Sequence, residues 1–94
     1  MKITFLFFAS VRELVGRSKI TLDLPDDLQL IDALILLTER LNISIKNFLV
    51  NDDGSLRENL RLALNLKIIS PSDLEKLFLK DGDMVAIFPT PSGG

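Results

Sequence analysis

The chain has 94 residues, the size of one domain, and 47% of them are hydrophobic, enough for a single modest core. Its formal net charge is −2 and its basic residues are scattered, so the composition argues against nucleic-acid binding. Because the sequence contains no Cys and no His, this chain offers no thiol nucleophile, disulfide, thiolate zinc site or histidine general base.

The first segment predicts a buried strand rather than a targeting signal. Lys2 to Ala9 are rich in Phe and β-branched side chains, and both faces of such a strand would be largely apolar. The apolar stretch is too short to span a bilayer, and it continues into Arg12 and Glu13 without a signal-peptide cleavage pattern. With the mildly acidic composition and the lack of disulfides, this favours a cytoplasmic protein.

A hairpin arm and a helix follow in chain order. Residues 10–16 predict an irregular turn or a single helical turn, and Lys19 to Leu24 alternate in polarity as a half-buried strand that pairs with the first. From Leu30 to Leu41 the hydrophobic period becomes helical. Gln29, near the expected start of this helix, is a poor capping residue.

The second half of the chain predicts further strands separated by turns. Arg61 to Ile69 predict a third strand, and Met84 to Phe88 alternate as the last strand. Turn signals occupy Asn51 to Ser55 and Lys80 to Asp83, where aspartates are expected to form local hydrogen bonds rather than a metal site. Before the last turn, Ser72 to Leu77 predict a short helical turn.

The order of these elements predicts an α+β domain in which one main helix packs on one face of a mixed sheet. A right-handed crossover would place the last strand beside the first, in the middle of the sheet. We divide the chain into a domain of residues 1–88 and an extended tail of residues 89–94. Two prolines in the tail disfavour a helix and favour an extended exit.

The Gly-Gly pair at the end of the tail is the feature that predicts chemistry. A carboxylate that reacts inside another protein must enter a narrow channel, and glycines let the backbone approach closely. Ordering such a tail costs about 1–2 kcal/mol per residue, and prolines upstream lower that cost because their φ is already fixed. Gly94 is therefore the candidate reactive residue, on a stem formed by Pro91, Ser92 and Gly93. A Gly-Gly end alone is also compatible with a disordered terminus.

Three segments, residues 6–16, 62–65 and 80–94, match the pattern of a known family. In them the chain resembles the small, sulfur-carrying subunit of molybdopterin synthase, which has a ubiquitin-like β-grasp fold. The first and last segments are quite specific, whereas residues 42–60 match no pattern. The tail has Pro-Thr-Pro-Ser where the family more often has adjacent prolines.

The resemblance implies a non-catalytic carrier that is active only with a large synthase subunit, as a heterotetramer. An ATP-dependent adenylating enzyme would activate the Gly94 carboxylate, and a sulfur donor would convert it to a thiocarboxylate. The carrier would then donate the sulfur to a cyclic pyranopterin in the large subunit, during molybdenum or tungsten cofactor biosynthesis. The chain itself would bind no cofactor, since the activating enzyme uses the ATP. It would also bind no metal, nucleic acid or membrane.

A partner surface is predicted from the strand alternation. If Phe5, Phe7, Val85 and Ile87 face the helix, an apolar stripe of Leu6, Phe8, Ala86 and Phe88 lies on the opposite face. A monomer rarely leaves such a stripe open, so it predicts an interface with Phe8 and Phe88 as aromatic anchors. Arg12 would lie at its edge and Ile68 beside it, and these positions match the family's contact surface. Alternatively, residues 42–60 cover this face and the stripe is ordinary core.

Three other functions stay open from the sequence. The chain could carry sulfur for thiazole or cysteine synthesis, modify proteins through isopeptide bonds to lysines, or be a β-grasp binding module with an incidental Gly-Gly end. A modifier predicts conjugates of higher mass, and a binding module predicts that deletion of Gly94 changes nothing. A carrier predicts that this deletion abolishes function and preserves folding.

Overall fold

A mixed sheet of five strands, in the order β2-β1-β5-β3-β4, forms the centre of the structure. The computed structural model describes residues 1–41, 47–53 and 55–90. The strands are β1 (Lys2–Phe7), β2 (Lys19–Asp23), β3 (Leu60–Leu64), β4 (Lys67–Ile69) and β5 (Met84–Pro89). Among the strands of these described ranges, only β1 and β5, at the centre, pair in parallel. The predicted mixed sheet and its central strand pair are confirmed.

The main helix, α2 (Leu30–Arg40), packs on one face of this sheet. Its buried stripe includes Leu30, Leu34 and Leu37, each with no exposed area, because these side chains recur at helical spacing. Gln29 forms no side-chain cap. Instead the amide of Leu30 donates to the carbonyl of Leu77 at 2.8 Å, and the next amide donates to Leu74 at 3.0 Å. A distant segment thus satisfies the open amides at the helix start.

A shorter helix, α1 (Ala9–Val15), replaces the irregular or single turn predicted after the first strand. Buried Val11 attaches it to the core. Gly16 ends the helix in the left-handed conformation, with φ +86°, and donates its amide to the Arg12 carbonyl at 2.9 Å. Glycine suits this position because it has no Cβ to clash.

The predicted third strand is in fact a hairpin of two strands, β3 and β4. The chain reverses at Asn65 and Leu66, whose φ angles are +50° and +73°. A two-residue hairpin loop needs positive φ at both positions, and Asn-Gly is its favoured sequence. Leu66 takes this conformation at a cost of roughly 1–2 kcal/mol, because its Cβ approaches the backbone.

The side chain of Asn65 ties this hairpin to the start of β5. Its Nδ2 donates to Asp83 Oδ1 at 2.9 Å, and its Oδ1 accepts the Met84 amide at 2.9 Å. The Asn65 amide also donates to the Met84 carbonyl at 2.8 Å. These three bonds hold the reversal in one position, and we call them the Asn65 clamp.

The 3₁₀ helix Pro71–Asp73 begins earlier than the predicted turn. Its capping serine is Ser70, which pairs with Asp73 in a capping box. The predicted helical turn to Leu77 is present, since the Leu77 amide donates to the Asp73 carbonyl at 2.9 Å, but the predicted cap was wrong because Ser70 and not Ser72 occupies that position.

The segment around the Asn51 turn packs on the same side of the sheet as α2. Leu49 and Val50 are buried in the core, and Val50 bridges to Leu56 across a turn in which the Asn51 amide donates to the Ser55 carbonyl at 2.8 Å.

In the described ranges of the chain, no helix has the length and apolarity needed to cross a membrane.

Candidate functional site

The sheet face opposite α2, which we call the open face, carries a continuous apolar row. Residues directly opposite each other on neighbouring strands share a face. Leu6 lies beside Ala86, Ala86 beside Ala63, and Ala63 beside Ile68. The row therefore crosses four strands, and Ile68 at its end is 66% exposed.

Two aromatic side chains lie next to this row, where the central strands end. The Phe8 amide donates to the Ile87 carbonyl at 3.2 Å, which extends the parallel pairing one residue past β1. Its backbone is extended, so its ring points away from the core, and Phe8 is 49% exposed. Phe88 is half-buried on the same face. The structure thus brings together the two predicted aromatic residues.

Arg12 and Ile68 lie at different ends of this surface. The Arg12 amide donates to the Phe8 carbonyl at 3.3 Å, so the exposed Arg12 side chain begins one helical turn from Phe8. Ile68 lies on β4 at the edge of the sheet. The interface role predicted for these four residues remains a prediction.

Basic side chains border the apolar row although the chain has a net charge of −2. Lys19 lies directly opposite Leu6 at one edge, and Arg61 lies opposite Phe88. Arg61 Nη1 donates to the Leu60 carbonyl at 2.8 Å, which keeps its guanidinium close to the sheet. Neither residue can be assigned to this face from the sequence, because its place there depends on strand register.

The last described residue, Thr90, leaves the sheet next to β3. Its amide donates to the Asn59 carbonyl at 2.9 Å, and its hydroxyl reaches the same oxygen at 3.3 Å. Pro89 is paired with Leu60 within the sheet. The sheet pairing thus includes the first two residues of the predicted tail. Pro91, Ser92, Gly93 and Gly94 lie outside the described residues.

Asp53 and Asp83 accept hydrogen bonds from backbone amides close in sequence, as predicted for turn aspartates, whereas Asp81 accepts one from a residue 79 positions away. Asp81 Oδ1 accepts the Lys2 amide at 2.7 Å, and Asp83 Oδ2 accepts the Lys80 amide at 2.8 Å. Hydrogen bonds from the Ser55 hydroxyl and amide lower the pKa of Asp53. Among the described residues, no group of three or more acidic, His or Cys side chains could hold a metal ion.

Comparison with known proteins identifies the family. The sequence pattern of the ThiS family matches residues 5–94. The chain belongs to the ThiS family. A molybdopterin synthase sulfur carrier subunit of Chlamydomonas reinhardtii is 36% identical over 94 residues, and the match covers 100% of both chains. The resemblance seen in the sequence is confirmed.

An archaeal relative and a solved structure extend this ThiS family comparison. The small archaeal modifier protein 3 of Haloferax volcanii is 30% identical over 94 residues, again covering 100% of both chains. The crystal structure of SAMP1 from Haloferax volcanii is 26% identical, covers 100% of both chains and superposes with a TM-score of 0.83. The fold is the ubiquitin-like β-grasp.

Proposed function

We propose that this ThiS family member is the sulfur carrier subunit of a molybdopterin synthase, and that Gly94 carries the sulfur. The observation that carries the proposal is the open apolar face, which runs beside the strand that leads into the tail. Phe8 is about half exposed at this end, where its amide bonds to Ile87 of β5, and β5 ends two residues later at Pro89. A partner that covers the face would meet the tail at its root.

The family match supports the same conclusion for the tail itself, because it extends to Gly94. The Chlamydomonas relative bears the name of a sulfur carrier subunit and is matched along its whole length. Since the chain contains no Cys, sulfur bound to it covalently requires a group other than a thiol. A terminal carboxylate is such a group.

The proposed cycle has three steps. The Gly94 carboxylate attacks the α-phosphate of ATP on an adenylating enzyme, giving an acyl-adenylate and pyrophosphate. A sulfide-level donor then attacks the acyl carbon, a C–S bond forms, and AMP leaves. In the large subunit, the thiocarboxylate sulfur attacks a carbon of the cyclic pyranopterin, the C–O bond at that carbon breaks as its oxygen substituent leaves, and water then cleaves the acyl C–S bond. The carboxylate is regenerated, and the sulfur stays on the pterin.

This chain supplies the carrier and the docking surface in that cycle, and its partners supply the catalytic side chains. Apolar contacts on the open face would provide most of the affinity, since they remove exposed rings from water. Arg12, Lys19 and Arg61 would favour a partner surface with acidic residues around its apolar centre. We propose the large synthase subunit as this partner, in a heterotetramer.

Intact mass measurement tests the carrier role directly. Protein purified from its native cells should contain a fraction heavier by the difference between one sulfur and one oxygen atom. A thiol-reactive alkylator should shift that fraction alone, and fragmentation should map the adduct to Gly94. The matched control is the variant lacking Gly94, which should fold with the same melting temperature and remain unmodified.

An unmodified carboxylate would overturn the carrier role if it persists in sulfur-replete cells that contain the adenylating enzyme. Alkylation that maps to another residue would overturn the assignment to Gly94 alone.

Protein modification is a second candidate, favoured by the name of the Haloferax relative. A modifier would form an amide bond between the Gly94 carbonyl and a lysine amine after the same activation. Immunoblots of native cells would then show conjugates of higher mass that disappear when Gly94 is deleted. A carrier alone predicts no such conjugates.

A further inference from the structure

The tip of the β3–β4 hairpin combines strain, rigidity and exposure at one apolar residue. Leu66 has a φ of +73° and is 90% exposed, the highest exposure among the large exposed hydrophobic residues described. Glycine is the favoured residue at this position of a two-residue hairpin loop. The Leu66 side chain is almost entirely in solvent, so its own packing against the described residues does not offset the strain. Residues held in rare conformations often belong to functional sites.

The hairpin presents Leu66 in a fixed position. The Asn65 clamp joins the reversal to Asp83 and Met84 through bonds of 2.8 to 2.9 Å. Strands β3 and β4 pair on the other side of the turn, from Leu62 opposite Ile69 to Leu64 opposite Lys67. A rigid apolar residue loses little conformational freedom when a partner binds it.

Leu66 is also close in the fold to the apolar row of the open face. Ile68, two residues along β4, ends that row and is 66% exposed. The apolar surface therefore continues from the sheet to the hairpin tip at its edge. A partner that covers the open face as far as Ile68 would therefore lie close to Leu66.

We propose that Leu66 is a binding anchor that inserts into an apolar pocket of the partner covering the open face. This inference rests on the proposed function, because it takes the large synthase subunit as that partner. The exposed ring of Phe8 marks the end of the surface near the tail, and Leu66 marks the opposite end. Two separated contacts fix the orientation of the carrier, so that the tail enters the partner's site in one direction.

The test exploits opposite effects of one substitution. Leu66→Gly relieves the positive-φ strain and removes the side chain, so the melting temperature should stay unchanged or rise, by up to about 8 °C. The affinity for the large synthase subunit of the same organism should fall at least about tenfold, as expected for loss of a buried apolar anchor. Titration calorimetry with the full-length chains measures the dissociation constant.

Two further variants separate contact from strain. Leu66→Met keeps an apolar side chain and should retain affinity within about threefold of the wild type. Phe78→Ala removes a 56% exposed apolar side chain near the start of α2, on the other side of the sheet, and should leave the affinity unchanged.

The outcomes divide clearly. Unchanged affinity of Leu66→Gly, with wild-type binding intact, would overturn the anchor and leave the proposed function standing. An effect of Leu66→Gly on self-association alone, measured by sedimentation, would also overturn it, since the occupant would be a second copy. If the wild-type chain fails to bind the large subunit at all, the proposed function and the anchor are both wrong.

Discussion

Both faces of the central strand pair are apolar, yet within the described part of the chain only one of them is covered. On the covered face, Phe5 and Val85 have no exposed area, because α2 and the segment around Leu49 pack over them. On the open face, Phe8 is 49% exposed and Met84 is 38% exposed. The difference shows that alternation identifies which residues share a face, whereas the number of covering layers decides which face is core.

The described part of residues 42–60 bears directly on this difference. The sequence left open whether that region covers the stripe of Leu6, Phe8, Ala86 and Phe88. Leu49 and Val50 instead lie in the core beneath α2. The described residues therefore leave the open face without a cover from this chain, which is the arrangement expected of a surface that binds a partner.

Matched truncations on the two faces give the largest expected effect. Phe5→Ala should destabilise the fold by about 3–5 kcal/mol, because it leaves a cavity in the core. Phe88→Ala should cost about 1 kcal/mol or less, since the ring is half-buried and its loss leaves an indentation that water can fill. Urea unfolding monitored by circular dichroism gives both values.

The same pair should behave in the opposite way toward the partner. Phe88→Ala should weaken binding to the large synthase subunit at least about tenfold, whereas any folded Phe5→Ala protein should keep its open face. Similar losses of stability for both substitutions would mean that the two faces are equally part of the core.

The Asn65 clamp gives an intermediate effect, because it supports the hairpin shared by both faces. Asn65→Ala removes two side-chain hydrogen bonds. It also places alanine, which tolerates positive φ less well than asparagine, at a φ of +50°. We expect a loss of roughly 1–3 kcal/mol. Asn65→Gly keeps the backbone preference and loses only the bonds, so it should cost less. Equal losses of stability for Asn65→Ala and Asn65→Gly would show that the two side-chain hydrogen bonds, and not the backbone preference of Asn65, account for the effect.

Much of the fold could be predicted because hydrophobic periods report local structure. The strand at Lys19, the helix from Leu30 and the tight turn at Gly82 all lie where the sequence placed them. The reversal at Asn65 and Leu66 was missed because Leu66 occupies a position that usually requires glycine, so the usual hairpin signal was absent.

The site was predictable in part, for a different physical reason. Phe8 and Phe88 could be placed on one face because alternation within a strand has a period of two. Ala63, Lys19 and Arg61 could not, because their places depend on which strands pair and in what register. The hydrogen bonds that satisfy the first amides of α2 were equally hidden, since their acceptors are the carbonyls of Leu77 and Leu74, far along the chain.

The smallest expected effect concerns the exposed turn from Asn51 to Ser55, which follows the buried segment on the covered face. The Ser55 hydroxyl donates to Asp53 Oδ1 at 2.6 Å and the Ser55 amide donates at 2.9 Å, and both bonds lower the pKa of Asp53 below its usual value of 3.8. The folded state therefore favours the charged carboxylate. Its contribution to stability is complete above the unfolded pKa and is lost as pH falls through the lowered folded pKa.

Asp53→Asn should accordingly lower the melting temperature slightly at neutral pH, and the difference from wild type should shrink as pH falls below about 4. Thermal unfolding between pH 7 and pH 2 measures this difference. Ser55→Ala retains the amide bond and should leave part of the pH dependence in place. A difference that grows toward low pH would contradict the assignment, because it would require the folded state to favour protonated Asp53. Because the carboxylate is fully exposed, we expect this turn to contribute far less than Phe5, whose ring α2 and its neighbours seal from water.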